Sequence, residues 1–384
     1  MKKLTALILT LVILCGLLSG CGKTAEPAAV EELAAVEEPV TVETQTPAEA
    51  EPAVEETPTE REFTDDCGRT VTIPYEITKI AVSGPLAQIY ILPVASDIMV
   101  GYANEFSEDA QKYIKDEFLA LPALGQLYGG KGTMDLEALL AASPQVVIDV
   151  GEAKGSIVED LDGLTEQTGI PFVHIDATVS TAPEAYTRIG ELLGREELCA
   201  EVAEYLQYLL DKVNGVMERV DAGKARRTVL YCLGDKGLNV LAEGSYHAET
   251  INIAAKNAAE LADVVSSGAG NEVDMEQLIL WNPEYLIFAP DSVYSEVGGD
   301  ETWQQLDAIK SGHYVETPYG PYGWLQSPPS VQRYLGMIWL VDLLYPEYSD
   351  IDLKTEVQHY YKLFYDYDLS DSEFMEMTAN AFPG

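Results

Sequence analysis

The feature that most constrains this chain is a segment that occurs twice. Met134-Asp-Leu-Glu-Ala-Leu-Leu, followed by Ser143-Pro-Gln-Val-Val-Ile, returns at a constant offset as Val273-Asp-Met-Glu-Gln-Leu-Ile, followed by Asn282-Pro-Glu-Tyr-Leu-Ile. Asp, Glu, Leu and Pro coincide, and the apolar positions match in class. Each copy reads as an N-cap Asp, a short helix stopped before a proline, then a buried strand. Identities at fixed offsets weigh against chance, so the repeat implies a duplicated α/β lobe.

The flanking sequence has the same character. From Phe63 to Asp176, the apolar runs Ile80–Ser83, Ile98–Gly101, Val146–Asp149 and Phe172–Ile175 read as strands, with helix-like Leu86–Leu92, Glu108–Phe118 and Leu136–Ala142 between them. Strands alternating with helices predict a parallel sheet. A second set follows in Thr228–Leu233, Glu249–Ala259 and Tyr285–Ala289. Between the sets, Val202, Leu206, Leu209 and Val213 recur at helical spacing behind Gly194. A helix from about Glu196 to Asp221 would run roughly 38 Å, long enough to lie along both lobes as a stiff connection. The expected fold class is therefore α/β, two lobes with parallel-type central sheets joined by one long α-helix. The expected boundaries are 63–180 for the N-terminal lobe, 181–223 for the connecting helix region and 224–384 for the C-terminal lobe. A folded part of this length exceeds what one core usually supports.

Ahead of the lobes, Met1-Lys2-Lys3 and an apolar run from Leu4 to Leu17 end in Leu18-Ser19-Gly20-Cys21. A basic start, an apolar stretch and small residues before a cleavage point make a secretory signal. Leu-Ser-Gly-Cys resembles the lipobox of bacterial lipoproteins, so residues 1–20 are expected to be removed and Cys21 acylated. An uncleaved anchor is the competing reading, since the run is close to the roughly 17 residues that span a bilayer. On either reading the lobes lie outside the cytoplasm, and on the first they meet the membrane through the lipid anchor only. Residues 22–62 hold twelve Glu against Lys23 and Arg61, with no aromatic residue. Such a stretch buries too little apolar surface to order itself and is expected to be a disordered, self-repelling tether. The net charge of −41 extends into the lobes, which excludes nucleic acid as a partner. Cys67, Cys199 and Cys232 are far apart and lack C-x-x-C spacing, so neither a disulfide framework nor a zinc site is expected. A single bridge stays open.

Three further motifs fall in order along the chain. They are Thr64-Asp-Asp-Cys-Gly-Arg-Thr-Val-Thr-Ile-Pro74, then Ser327-Pro-Pro-Ser-Val-Gln-Arg333 with Gly336-Met-Ile-Trp339, then Tyr360-Tyr-Lys-Leu-Phe-Tyr365-Asp-Tyr-Asp-Leu-Ser370. With the paired Asp-x-Glu segments, and behind a lipobox, residues 63–382 resemble the periplasmic binding proteins of ABC importers for ferric siderophores, haem and cobalamin. The resemblance implies two Rossmann-like lobes on one long helix. It implies a small-molecule ligand, a metal complex, in the cleft between them, and a permease with its ATPase as partners. It implies a monomer without a cofactor or resident metal. It also implies that Glu137 and Glu276, one per lobe, pair with arginines of the permease. Two such carboxylates would suit two-fold symmetric basic sockets. Taken by themselves they are equally two solvated acids favoured in a helix's first turn.

In open α/β sheets, ligands bind beyond the carboxyl ends of the strands. The loops there are Ser83–Pro85, Leu127–Gly132 and Asp149–Glu152 in the first lobe. In the second they are Gly234-Asp235, Ala242–His247, Asp291–Tyr294 and Tyr319–Trp324, the last running into Arg333. Tyr319, Tyr322 and Trp324 are interleaved with Gly and Pro, which makes a loop. Loop aromatics offer flat apolar area with a polar tip, suited to a metal complex; they also suit capping their own lobe. Arg333 is read either as neutralising an anionic group or as an exposed helix residue. Tyr246 and His247 are ligand candidates, His247 being also readable as an ordinary loop residue. Tyr128 and Lys131 would meet the ligand from the first lobe, unless the glycines around them merely make a tight turn. Gly-x-Ser-x-Gly, His-Glu-x-x-His and P-loop patterns are absent, so no catalytic residues are assigned and an enzyme is not expected. Two alternatives stay open, a surface receptor or sensor without an importer and an oxyanion such as molybdate as ligand.

Overall fold

The computed structural model describes residues 58–128, 133–290 and 292–384. The expected signal segment, Cys21, nearly all of the acidic stretch and Lys131 lie outside them. The first described elements are an antiparallel hairpin of β1 (Glu60–Thr64) and β2 (Thr70–Pro74). Phe63 and Ile73 turn inward while their neighbours face out, the period of two that a half-buried strand requires. The expected tether boundary at Glu62 is thus too late. Glu60–Glu62 are paired strand, and Arg61 donates to the Glu191 and Leu192 carbonyls at 3.0 and 2.7 Å.

The first sheet consists of β3 (Ile80–Val82), β4 (Val146–Gly151) and β5 (Phe172–Asp176), parallel and adjacent in chain order. Between β3 and β4 come α1 (Pro85–Ala95), α2 (Glu108–Gln111), α3 (Asp116–Leu119) and α4 (Leu136–Ala142), and α5 (Ile157–Thr168) joins β4 to β5. Two expectations fail here. Ile98–Gly101 is no strand, because a 3₁₀ turn at Ser96–Ile98 uses its first residue and only Met99 bridges to Ile80. Glu108–Phe118 is not one helix but the single turns α2 and α3, parted where Tyr113 and Ile114 enter the core.

After α6 (Ala182–Leu193) and a left-handed Gly194 comes α7 (Glu196–Ala222), which ends one residue past the expected Asp221. Next are β6 (Thr228–Leu233), β7 (Asn239–Val240), α8 (Glu249–Ala254), β8 (Lys256–Asn257), β9 (Asn271–Glu272), α9 (Met275–Trp281), β10 (Tyr285–Phe288), α10 (Tyr294–Val297), α11 (Asp307–Lys310) and β11 (Tyr314–Glu316). The expected helix over Glu249–Ala259 therefore stops at Ala254 and gives way to a strand. These strands make one sheet in the order β11–β10–β6–β7–β9, with β8 also on β6. Its centre is parallel, and β7 and β9 add an antiparallel flank. The chain closes with α12 (Arg333–Leu344), α13 (Leu353–Tyr365) and α14 (Asp371–Met377).

The sequence repeat is a structural repeat. Helices α4 and α9 have seven residues each, and Asp135 and Asp274 cap them by accepting from the amides of Ala138 and Gln277 at 3.0 and 2.8 Å. Both end on a left-handed residue, Ser143 at φ 51° and Asn282 at φ 39°, before the proline that leads into β4 or β10.

Alternation along the strands divides the interior. Val146, Ile148 and Val150 of the first sheet, and Val229, Tyr231 and Ile287 of the second, share one core with the buried stripe of α7 (Val202, Leu206, Leu209, Val213). Their alternates, Val147 and Phe172 on one sheet and Leu230 and Phe288 on the other, face two smaller cores under each sheet's own helices. α7 lies against α6 and α12. α12 is buried along its length except at Asp342, and its residues are accordingly apolar on nearly every side. Among the described residues, no helix is long and apolar enough to cross a membrane.

Candidate functional site

The carboxyl end of β3 passes through Ser83-Gly84 into α1, whose apolar sequence carries one polar residue, Gln88. Buried Gln88 accepts from the Ala103 amide at 2.7 Å, and its own amide group donates to the Tyr322 hydroxyl at 3.4 Å. The Tyr322 ring leans on Phe106 with centroids 6.3 Å apart. Asn104 donates to Gln126 at 2.5 Å, and Gln126 in turn donates to the Tyr128 carbonyl at 2.7 Å. Pro85, Gln88, Asn104 and Phe106 from the first sheet's side, with Tyr319 and Tyr322 from beyond β11, line a cavity of about 250 Å³. Its wall is largely aromatic, and its polar groups are amides, phenols, the Ser107 hydroxyl and one carboxylate, Glu105, with no lysine or arginine among them.

Beside it, β4 ends on Gly151 at φ 133°, where a Cβ would lie 2.5 Å from a Leu86 methyl. Only glycine lets β4 end this close to the start of α1. The same position faces the Tyr246 hydroxyl, which reaches across from a 3₁₀ turn (Tyr246–Ala248) and donates to the Ala177 carbonyl at 2.8 Å. Ser245 caps that turn, accepting from the His247 amide at 3.2 Å. Burial pushes the Tyr246 phenol up to about 12, so it is a neutral donor at physiological pH. Burial lowers the His247 pKa, against the opposing effect of Gln326, and Nδ1 of its ring is enclosed with no hydrogen-bond partner.

The structure sorts the residues singled out from the sequence. Tyr319 and Tyr322 line the cavity, and Tyr246 and His247 stand at the first sheet's facing end. Tyr128 is tied into its own side: its hydroxyl donates to Asp160 at 2.9 Å, and burial first, then Asp160, raises its pKa. Trp324 is corrected. It is fully buried in the shared core, where the absence of a side chain on Gly336 lets α12 press against the Trp324 backbone. Arg333 is corrected on one of its readings. It is fully buried, so it is no exposed helix residue; its Nη1 lies 3.2 Å from the Glu249 carboxylate, and its Nη2 is enclosed without a hydrogen-bond partner. Glu137 and Glu276 are exposed at equivalent places in α4 and α9. Gln88, Asn104, Phe106 and Glu249 were not anticipated. Gln88 alone left a signal, as the one polar side chain in an apolar helix. Among the described residues Cys67, Cys199 and Cys232 are free, and no group of three His, Cys, Asp or Glu side chains is placed to hold a metal ion.

Comparison with known proteins agrees with this architecture. A family model described as periplasmic binding protein matches residues 87–319, more than half of the chain. An ABC transporter solute-binding protein from Sulfurospirillum deleyianum is 27% identical, covering 83% of this chain and 99% of its own, with a TM-score of 0.75. A periplasmic solute-binding protein from Veillonella parvula (23% identical, 84% and 98% covered, TM-score 0.65) shares the fold. So does the molybdate-bound periplasmic binding protein of Haemophilus influenzae (21% identical, 81% and 99% covered, TM-score 0.63). No curated protein matches the chain. Two sheets joined by one long helix, with a cavity where their carboxyl ends meet and a family model spanning both, have one conclusion: this chain belongs to the periplasmic binding protein family.

Proposed function

We propose that this chain is the solute-binding component of an ABC-type importer, and that its ligand is a compact metal chelate, uncharged or cationic, held between the two sheets. The observation that carries the ligand class is the lining of the 250 Å³ cavity by aromatic rings, neutral amides and the Glu105 carboxylate, without a cation. An anionic ligand calls for unpaired cations, whereas Arg333 is engaged by Glu249 and Lys154 by Glu152 at 2.7 Å. The cavity also lies below the roughly 300–1,000 Å³ of sites that enclose drug-sized ligands, which counts against a bulky corrinoid, and a lining without a cation favours a hydroxamate chelate over haem with its two propionates. Tyr319 and Tyr322 supply flat surface and phenol hydroxyls, Tyr246 a ring beside them, and His247 a neutral nitrogen.

The test is thermal unfolding of the protein against ferrioxamine B, ferric enterobactin, haem, cyanocobalamin and molybdate. A ligand present at 100 times its Kd adds about 2.7 kcal/mol, or a few degrees in Tm. Stabilisation by ferrioxamine B alone supports the reading. A shift with enterobactin or molybdate would overturn the charge argument, and one with cyanocobalamin the size argument. No shift with any compound would remove the metal-chelate assignment.

In the same reading Cys21 carries the lipid anchor, and Glu137 and Glu276 dock onto the permease. Their place in a structurally duplicated helix supports paired docking. Glu137→Ala with Glu276→Ala is expected to abolish uptake in cells while leaving ligand affinity unchanged. Uptake at the wild-type rate would sink the docking role. Loss of radiolabelled palmitate incorporation in Cys21→Ser would support the anchor.

A further inference from the structure

The connection that leaves the first sheet, Ala177–Ser180, is gripped by side chains from the second sheet's side. Glu249, the first residue of α8, turns its carboxylate onto the backbone amide of Val179, accepting at 3.0 and 2.9 Å, and onto that of Ser180 at 3.4 Å. Tyr246 donates to the Ala177 carbonyl at 2.8 Å, and Tyr334 donates to the Val179 carbonyl at 2.6 Å. Four backbone groups of one short segment are thus satisfied by three side chains remote in sequence. Behind Glu249 stands Arg333, fully buried. Its Nη1 is 3.2 Å from the Glu249 carboxylate and donates to the Tyr246 carbonyl at 3.0 Å, while its guanidinium lies 4.6 Å above the Tyr246 ring. Both oxygens of Glu249 are therefore used, by two amides and one guanidinium, in charge-assisted contacts that are stronger than neutral ones.

We propose that Glu249 is a positioning residue that fixes the angle between the two sheets, and with it the width of the ligand cavity. By covalent structure alone the sheets are joined through α6 and α7, which leaves them free to rock about that connection. The grip on Ala177–Ser180 supplies a further tie, made through side chains at the start of that connection, just ahead of α6. Tyr246 stands beside the cavity and belongs to the tie, so on the function proposed above a ring that contacts the ligand is set by the same contacts that set the angle. Arg333, which the sequence offers as a ligand anchor, serves Glu249. Removing Glu249 leaves a buried guanidinium unpaired and two amides without an acceptor, and neither is tolerated in place.

The test needs no ligand. In the full chain, dyes are introduced through unnatural amino acids at exposed Glu166, on α5, and exposed Glu301, beyond α10, and single-molecule energy transfer reads the distance between them. The unaltered protein is expected to give one narrow distribution. Glu249→Ala is expected to broaden it or add a second population, and Glu249→Gln, which keeps an oxygen for the Val179 amide, to restore part of the narrow one. A distribution for Glu249→Ala that superimposes on the unaltered one overturns the proposal, even if its melting temperature falls, since the contact would then be structural only. Should Glu249→Ala fail to fold, Tyr334→Phe combined with Tyr246→Phe removes two of the donors and carries the same expectation. An unchanged distribution there overturns it equally.

Discussion

Gly151→Ala is expected to destabilise the protein through two separable effects. At φ 133° the residue lies where an L side chain is strained, at about 1–3 kcal/mol. The new Cβ would also stand 2.5 Å from a Leu86 methyl, and overpacking of this kind costs about 1–3 kcal/mol. Leu86 is only partly buried and its methyl is the far end of a flexible side chain, so the lower part of that second range applies. The sum is about 2–4 kcal/mol. An unfolding entropy near 2.1 cal/mol/K per residue, over roughly 330 residues, gives about 0.7 kcal/mol/K and a fall in Tm of about 3–6 °C. Scanning calorimetry measures it, with Gly155→Ala, whose Cβ would meet open space, as the control expected to stay within about 1 °C. Adding Leu86→Ala removes the clash but not the strain, so the double variant is expected to be more stable than the two single losses predict, by about 1 kcal/mol. A Gly151→Ala protein melting with the unaltered one would refute the reasoning outright. Strict additivity with Leu86→Ala would refute the contact and leave only the strain.

The matched caps of the repeat predict matched losses: Asp135→Ala and Asp274→Ala are each expected to cost about 1 kcal/mol, read from denaturant midpoints, and a null effect at either would mean its cap contributes nothing. Burial, with Asp65 next, pushes the Cys67 thiol up to about 11 from its usual value of 9.0; alkylation at pH 8 is thus expected to run about a hundredfold slower than for a free thiol, and mass-spectrometric labelling at the free-thiol rate would contradict the burial. The Tyr246 phenol, near 10 when unfolded and raised to about 12 by burial in the folded protein, contributes stability that is complete below pH 10 and lost as the pH rises through 12. Tyr246→Phe is therefore expected to flatten the fall in unfolding free energy across that window, and an unchanged slope would count against the raised value.

Much of the fold was legible because the signals are local. The repeat announced two equivalent helices and strands, and the spacing of Val202, Leu206, Leu209 and Val213 gave α7 nearly to the residue. Ile98–Gly101 misled because an apolar run reads alike whether it joins a ladder or merely packs beside one, and here only Met99 reaches the sheet. The site was legible in part. Tyr246, His247, Tyr319 and Tyr322 follow from the rule that ligands sit beyond strand ends. Trp324 and Arg333 did not resolve, since the glycine on α12 that draws Trp324 inward and the carboxylate on α8 that engages Arg333 are remote in sequence. Glu249 was invisible for the same reason: nothing next to it in the chain shows that its partners are two amides beyond β5.

The core that runs through both sheets has a bearing on how the molecule comes into being. Helix α1, the first long element, packs against α13, nearly the last, and α7 lies against α12. A chain growing from its N-terminus can pair β3, β4 and β5 early, yet their inner side stays uncovered until the final helices are made. Neither half is then expected to mature ahead of the other, and a truncated product is expected to expose apolar surface and to be sensitive to protease. The doubled unit is still visible in α4 and α9, but the shared core has made the two copies a single fold.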